Sequence, residues 1–170
     1  MKSLRLVALG ALLTVGAFSA VVYTSCSKDA CSGVTCQNGG TCSGGTCTCP
    51  TGYEGTNCET KSITKLIKVW SASDVQVSPS ATVPTYTSAI VAGTAVNGIT
   101  ISNFSNSFFT HDVTATFTGN TITIGTQTPD NDTFSVSGTG IYDPTTAHIS
   151  WNYTLTNPQN VTRSYTGTWQ

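Results

Sequence analysis

The sequence predicts a mainly-β chain, a small disulfide-rich module followed by an antiparallel β-barrel or sandwich. Three observations carry this. Six of the seven cysteines fall between Cys31 and Cys58, and none follows. Beyond Glu59, apolar residues recur at every second position in short runs, the period of a strand with one face buried. Charged residues make up only 9% of a chain rich in Thr, Ser, Gly and Asn, which suits half-exposed strands and turns. The same low charge leaves no basic face that could displace counterions from nucleic acid, so that class of partner is excluded.

The first element, residues 1–25, reads as a secretory signal peptide. Lys2 and Arg5 precede an apolar run from Leu6 to Val22, and Thr24 and Ser25 follow it. An uncleaved anchor is the competing reading, since a run of about 17 apolar residues is at the lower limit for a membrane span. Export takes the chain into an oxidising compartment, where paired cysteines are stable.

Residues 31–58 follow the spacing C-x4-C-x5-C-x4-C-x-C-x8-C. A segment this short, whose bulky apolar groups are Val34 and Tyr53, cannot bury enough surface to offset its chain entropy. Cross-links must supply the difference, at about 3 kcal/mol for a loop of roughly a dozen residues. Zinc is the alternative use of clustered cysteines, but the segment has no His and an exported chain does not hold its thiols reduced. Spacing alone leaves every pairing of the six cysteines open.

The run Asn38-Gly39-Gly40-Thr41-Cys42, followed by CxCPxGYxGxxC from Cys47 to Cys58, resembles an EGF-like domain. The resemblance implies Cys31 bonded to Cys42, Cys36 to Cys47 and Cys49 to Cys58. Calcium-binding members carry an acidic cluster before the first cysteine. Here Asp29 stands alone and the hairpin has no acid, too few hard oxygens for the ion, so no metal is expected. The module is expected to act as a stiff spacer, with Tyr53 as a possible contact for a partner.

With six cysteines in the module, Cys26 is left over. Tyr23-Thr24-Ser25-Cys26 resembles the lipobox of bacterial lipoproteins, which implies a lipidated Cys26 as the first mature residue and residues 26–30 as a short tether. More than one acyl chain, at about 0.8 kcal/mol per buried CH2, makes such an anchor stable. The expected location is the cell envelope, at the outer membrane or the cell surface. A free or intermolecular thiol is the alternative.

In the domain 59–170, strands are expected at 63–70, 84–91, 96–104, 113–117, 121–124, 133–139, 147–155 and 162–169. Ile149, Trp151, Tyr153 and Leu155 share one face, as do Val113, Ala115 and Phe117, and Ile122 and Ile124 across the Gly119-Asn120 turn. Asp143-Pro144 and Asn157-Pro158 mark further turns. A meander closed on itself hides its edges. The runs ITISNF, VTATFTGNTITI, FSVSGTG and ISWNYTL resemble small lipocalin-like domains of bacterial surface lipoproteins, which implies a cup-shaped sheet with an apolar pocket.

Chemistry is sparse. His111-Asp112 and His148 lack a nucleophile in an elbow context and an oxyanion site, so no enzyme is expected and no cofactor is implied. Asp130 and Asp132 in PDNDTF suit a loop better than a cation. The adjacent Phe108 and Phe109 are expected to point oppositely and to offer an exposed apolar contact. The resulting expectation is a membrane-anchored, non-catalytic recognition or adhesion module for an unknown protein or glycan. The alternative is a lipocalin-like carrier of a small apolar ligand, marked by a dry cavity lined with Phe117, Ile122, Ile124 and Trp151.

Overall fold

The structure is a computed structural model that describes residues 30–170. The leader, Cys26 and the tether up to residue 29 lie outside the described residues.

The N-terminal module is held by the disulfides Cys31–Cys42, Cys36–Cys47 and Cys49–Cys58, with Cα separations of 5.9, 5.6 and 5.3 Å. This is the pairing that the resemblance implies. Strands β1 (Thr41–Ser43) and β2 (Thr46–Thr48) form a hairpin with Ser43 opposite Thr46. Its two-residue turn puts Gly44 and Gly45 at φ 57° and 84°, the left-handed pair that a side chain would strain. A second pairing joins β3 (Tyr53–Glu54) to β4 (Thr60–Lys61).

A single sheet follows. Its strands are β5 (Val69–Gln76), β6 (Ala81–Thr82), β7 (Tyr86–Ala92), β8 (Gly98–Ser102), β9 (Val113–Thr118), β10 (Thr121–Gln127), β11 (Ser135–Asp143), β12 (His148–Thr156) and β13 (Thr162–Trp169). From β7 to β13 each strand pairs antiparallel with the next, and β5 pairs with both β7 and β13. The result is a closed eight-stranded barrel, and β6 is a short flap on the end of β5. Closure leaves no long unpaired edge.

The core alternates as the sequence predicts along β9, β10 and β12: Val113, Phe117, Ile122, Ile149, Trp151 and Tyr153 are buried. Trp151 sits in register between Gly140 of β11 and Gly167 of β13, where missing side chains leave room for the indole. Its neighbours are rings, Phe104 at 5.5 Å and Trp169 at 5.1 Å between centroids.

One expected element is corrected. The strand placed at 63–70 begins instead as a 3-10 helix, Ser62–Leu66, and the strand itself starts at Val69 and runs to Gln76. Ile63 and Leu66, three apart and both buried, share one face of that helix, and Trp70 Nε1 donates to Leu66 O at 2.9 Å. The rest of β5 turns Asp74 and Gln76 inward, so polar residues stand where the alternation calls for apolar ones.

The helix closes one end of the barrel, and the disulfide module docks there. Ser62 N donates to Gly52 O at 2.9 Å, and Lys65 Nζ pairs with Glu54 at 2.7 Å while lying 5.4 Å from the centre of the Phe117 ring. A Cβ on Gly52 would stand 2.7 Å from Val96 Cγ1, so the module's backbone lies flat on the β7–β8 turn. The strand directions gather the turns after β6, β8, β10 and β12 at the opposite end.

Candidate functional site

That opposite rim holds the strained backbone and the exposed aromatic side chain expected of a binding surface. The β8–β9 loop plunges into the barrel at Phe104, whose ring lies 4.8 Å from Tyr153 and 5.7 Å from Trp169. To turn back out, Asn103, Ser105, Asn106 and Ser107 all take positive φ, between 53° and 59°, at a cost on the order of 1–2 kcal/mol per residue. Specific bonds hold them. Ser105 N donates to the Tyr86 hydroxyl at 3.1 Å, and Ser107 Oγ donates to Asn103 Oδ1 at 2.5 Å.

Asp130 in the β10–β11 loop clamps the far side of the same loop. Its carboxylate accepts from Thr110 N at 2.9 Å, from His111 N at 2.7 Å and from His111 Nδ1 at 2.9 Å. The bond from Thr110 N, then the one from His111 N, holds its pKa below the usual carboxylate value. Asp130, 19 residues away in the chain, orients His111, although Asp112 is its neighbour in sequence. Asp132 Oδ1 accepts from Phe134 N at 2.9 Å, so both acids serve the loop.

Of the phenylalanine pair, Phe108 faces solvent at 44% exposure and Phe109 is 5% exposed, which removes Phe109 as a contact. Phe109 joins the core under Phe108, 4.9 Å away, because the reversing loop needs an apolar plug on its inner side. Phe108 also meets Phe134 edge-on at 5.4 Å. These two rings, with Leu155, Asn157, Val161, Arg163 and Tyr165, line a cleft of about 260 Å³. Tyr53, the other proposed contact, lies half-buried in the module opposite Lys61, at the other end of the barrel.

Beneath the rim is a polar stack. Gln76 Oε1 accepts from Arg163 Nη1 at 3.2 Å and from the Tyr165 hydroxyl at 3.1 Å, and Tyr165 stacks on Tyr153 at 5.0 Å. Deeper still, Asp74 is 1% exposed. Its Oδ2 accepts from Tyr86 at 2.6 Å and Tyr153 at 2.7 Å, and its Oδ1 from Trp169 Nε1 at 3.2 Å. Burial, then the Asp74 charge, pushes both phenols well above their ordinary pKa. Sequence reasoning missed Asp74, Gln76 and Arg163. The available signal was polar residues at inward positions of β5 and β13.

The barrel interior is packed. Phe117, Ile122, Ile124 and Trp151 are 0, 0, 2 and 1% exposed, so they present almost no surface to a ligand. A larger depression of about 590 Å³ lies on the outer wall between β8 and β10, lined by Thr100, Thr114, Thr116 and Thr123 among others. It carries no ionisable group, and Gln127 there is already bonded to Thr114 and to Gly125 O. His148 pairs opposite Asp143 at the closed end. No protein-family model, curated protein or solved structure matches this chain.

Proposed function

We propose that this chain is an envelope lipoprotein that recognises its partner without turnover: Cys26 carries the lipid, an EGF-like module stiffens the stalk, and the barrel rim makes the contact. The observation that supports this most is polarity of layout. The module docks on the closed end of the barrel, and the aromatic cleft with its exposed Phe108 opens at the other. A tether entering through the module would therefore hold the rim outward. The packed interior favours this over a lipocalin-like carrier, whose ligand would lie among Phe117, Ile122, Ile124 and Trp151.

Amide and indole shift mapping of the full chain against glycans, peptides and small apolar compounds tests the reading. Shifts confined to residues 105–110, 128–134 and 157–165 are expected, with the Trp70, Trp151 and Trp169 indoles unmoved. Movement of those indoles by an apolar compound would instead establish the carrier. Lipidation is tested separately by intact mass of membrane-extracted protein and by Cys26→Ser, which should release the chain from the membrane fraction wherever the leader is removed at the same residue.

A further inference from the structure

We propose that the rim cleft binds a small organic acid with an apolar body, its carboxylate held by Arg163. This rests on the reading of the rim as the recognition end and names the ligand class that the end accepts.

Along β13 the inward positions are Arg163, Tyr165, Gly167 and Trp169, and Arg163 stands directly across from Leu155. Arg163 is exposed at the rim end of β13, so its planar fork, which matches a carboxylate, is open to a ligand arriving from solvent. Among the described residues Arg163 has no ion-pair partner. Its one hydrogen bond is to the neutral Gln76 Oε1, through Nη1 at 3.2 Å. A guanidinium carries five N–H donors in a fork matched to a carboxylate, so most of its capacity is open.

The surroundings select the ligand further. No carboxylate lines the cleft, and the nearby acids are engaged: Asp130 with Thr110 and His111, Asp132 with Phe134 N, and Asp74 with Tyr86, Tyr153 and Trp169. Phe108, Phe134, Leu155 and Val161 supply the apolar wall. A sugar would need several neutral polar groups. However, Asn157 Oδ1 is bonded to Gln159 N and Val161 N, and the Tyr165 hydroxyl donates to Gln76. At about 260 Å³ the cleft falls below the range of about 300–1,000 Å³ typical of drug-sized sites, so the acid is short: a phenyl ring or a brief alkyl chain next to the carboxylate.

The test titrates the full chain with 3-phenylpropionate, 3-phenylpropanol and 3-phenylpropylamine, read by calorimetry and amide shifts. The acid is expected to bind at the amides of 134 and 161–165, at least tenfold tighter than the alcohol, with the amine weakest. Arg163→Gln should remove that preference and leave alcohol binding unchanged. Arg163→Lys, which keeps the charge but not the fork, should restore part of it, separating loss of the anion site from a disturbed Gln76. Phe108→Ala should weaken acid and alcohol alike. Equal binding of acid and alcohol, an Arg163→Gln variant that still prefers the acid, or no shift at the rim would each overturn the inference. If the acid fails while a glycan or peptide moves the rim amides, the ligand class falls and rim recognition stands.

Discussion

Tyr153 and Asp74, 79 residues apart in the chain, meet in the barrel through a 2.7 Å hydrogen bond from the phenol to Oδ2. With Tyr86 and Trp169 donating to the same carboxylate, this bond ties β5, β7, β12 and β13 across the interior. Tyr153→Phe should cost about 1.5–3 kcal/mol, the range for a bond to a charged group. Asp74→Ala should cost more, because it strands the Tyr86 hydroxyl proton and Trp169 Nε1 and leaves the Tyr153 hydroxyl only Ser105 Oγ, at 3.1 Å. In the Asp74→Ala background, Tyr153→Phe should then cost less, only the remaining bond to Ser105 Oγ. A urea double-mutant cycle measures the coupling, and additive costs would show that the hub is not a unit.

The same cluster sets an alkaline limit. Burial, then Asp74, raises the pKa of Tyr86 and Tyr153 above the ordinary 10.0. Above that value the unfolded chain releases two protons that the folded chain keeps. Stability from these phenols is therefore complete below pH 10 and falls as pH rises beyond it, by about 1.4 kcal/mol per unit for each phenol. Melts between pH 9 and 11.5 should show the fall, with two of the six tyrosines silent in tyrosinate absorbance until unfolding. The double variant Tyr86→Phe, Tyr153→Phe should flatten the slope.

How legible the barrel was depended on which residues filled it. Where the inward positions are Ile149, Trp151, Tyr153 and Leu155, the period of two stands out in the sequence and the burial matches it. On β5 the inward set is Trp70, Ala72, Asp74 and Gln76, and on β13 it begins with Arg163. Polar inward residues broke the alternation, so the second half of β5 and the polar cluster beneath the rim went unseen, while the 3-10 helix at Ser62–Leu66 was read as the start of the strand. The disulfide pairing, by contrast, was implied by the resemblance of residues 31–58 to an EGF-like domain, since the spacing alone leaves every pairing open. Asp130 reaching His111 was hidden for another reason: a contact between two loops leaves no period to read.

Glycines opposite the core rings give a sharp contrast. A Cβ on Gly138 would stand 2.6 Å from Asn152 O and 2.7 Å from Tyr153 Cα, backbone atoms that cannot move aside. Gly138→Ala should destabilise by about 1–3 kcal/mol, as overpacking does. Gly125, on the neighbouring strand, has open space and no positive φ, so Gly125→Ala should be neutral or stabilise by about 0.4–1 kcal/mol. Thermal melts of the pair check this, and equal effects would refute the packing argument.

Reduction should separate the two halves of the chain. The barrel has its own core of rings and branched residues, whereas the module's loops are closed by disulfides spanning 11, 11 and 9 residues. Losing bridges worth about 3 kcal/mol each should unfold residues 31–58 and leave the barrel's tryptophan emission and amide dispersion unchanged. Simultaneous loss of both would mean that the barrel needs the docked module to fold.

Asp130 connects stability to the proposed site, because it holds the loop that presents Phe108. Its pKa is lowered from 3.8 mainly by the bond from Thr110 N. A carboxylate whose pKa is depressed on folding stabilises above its unfolded value and loses that contribution as pH falls through the folded one. Above about pH 4 the clamp is complete; below 3.8 it progressively releases the Thr110 and His111 amides. The protection of those two amides, their exchange measured against the intrinsic rate at the same pH, should therefore fall on acidification before that of any core amide does. Asp130→Asn should show the faster exchange at neutral pH, because the amide oxygen is a weaker acceptor and its NH2 group accepts nothing. With its loop loosened, Phe108 should lose its fixed approach to Phe134, and ligand shifts at the rim should weaken while the melting temperature changes little. Unchanged exchange in that variant would show that the loop stands without Asp130, its run of left-handed residues held by Tyr86, Tyr153 and the Asn103 side chain.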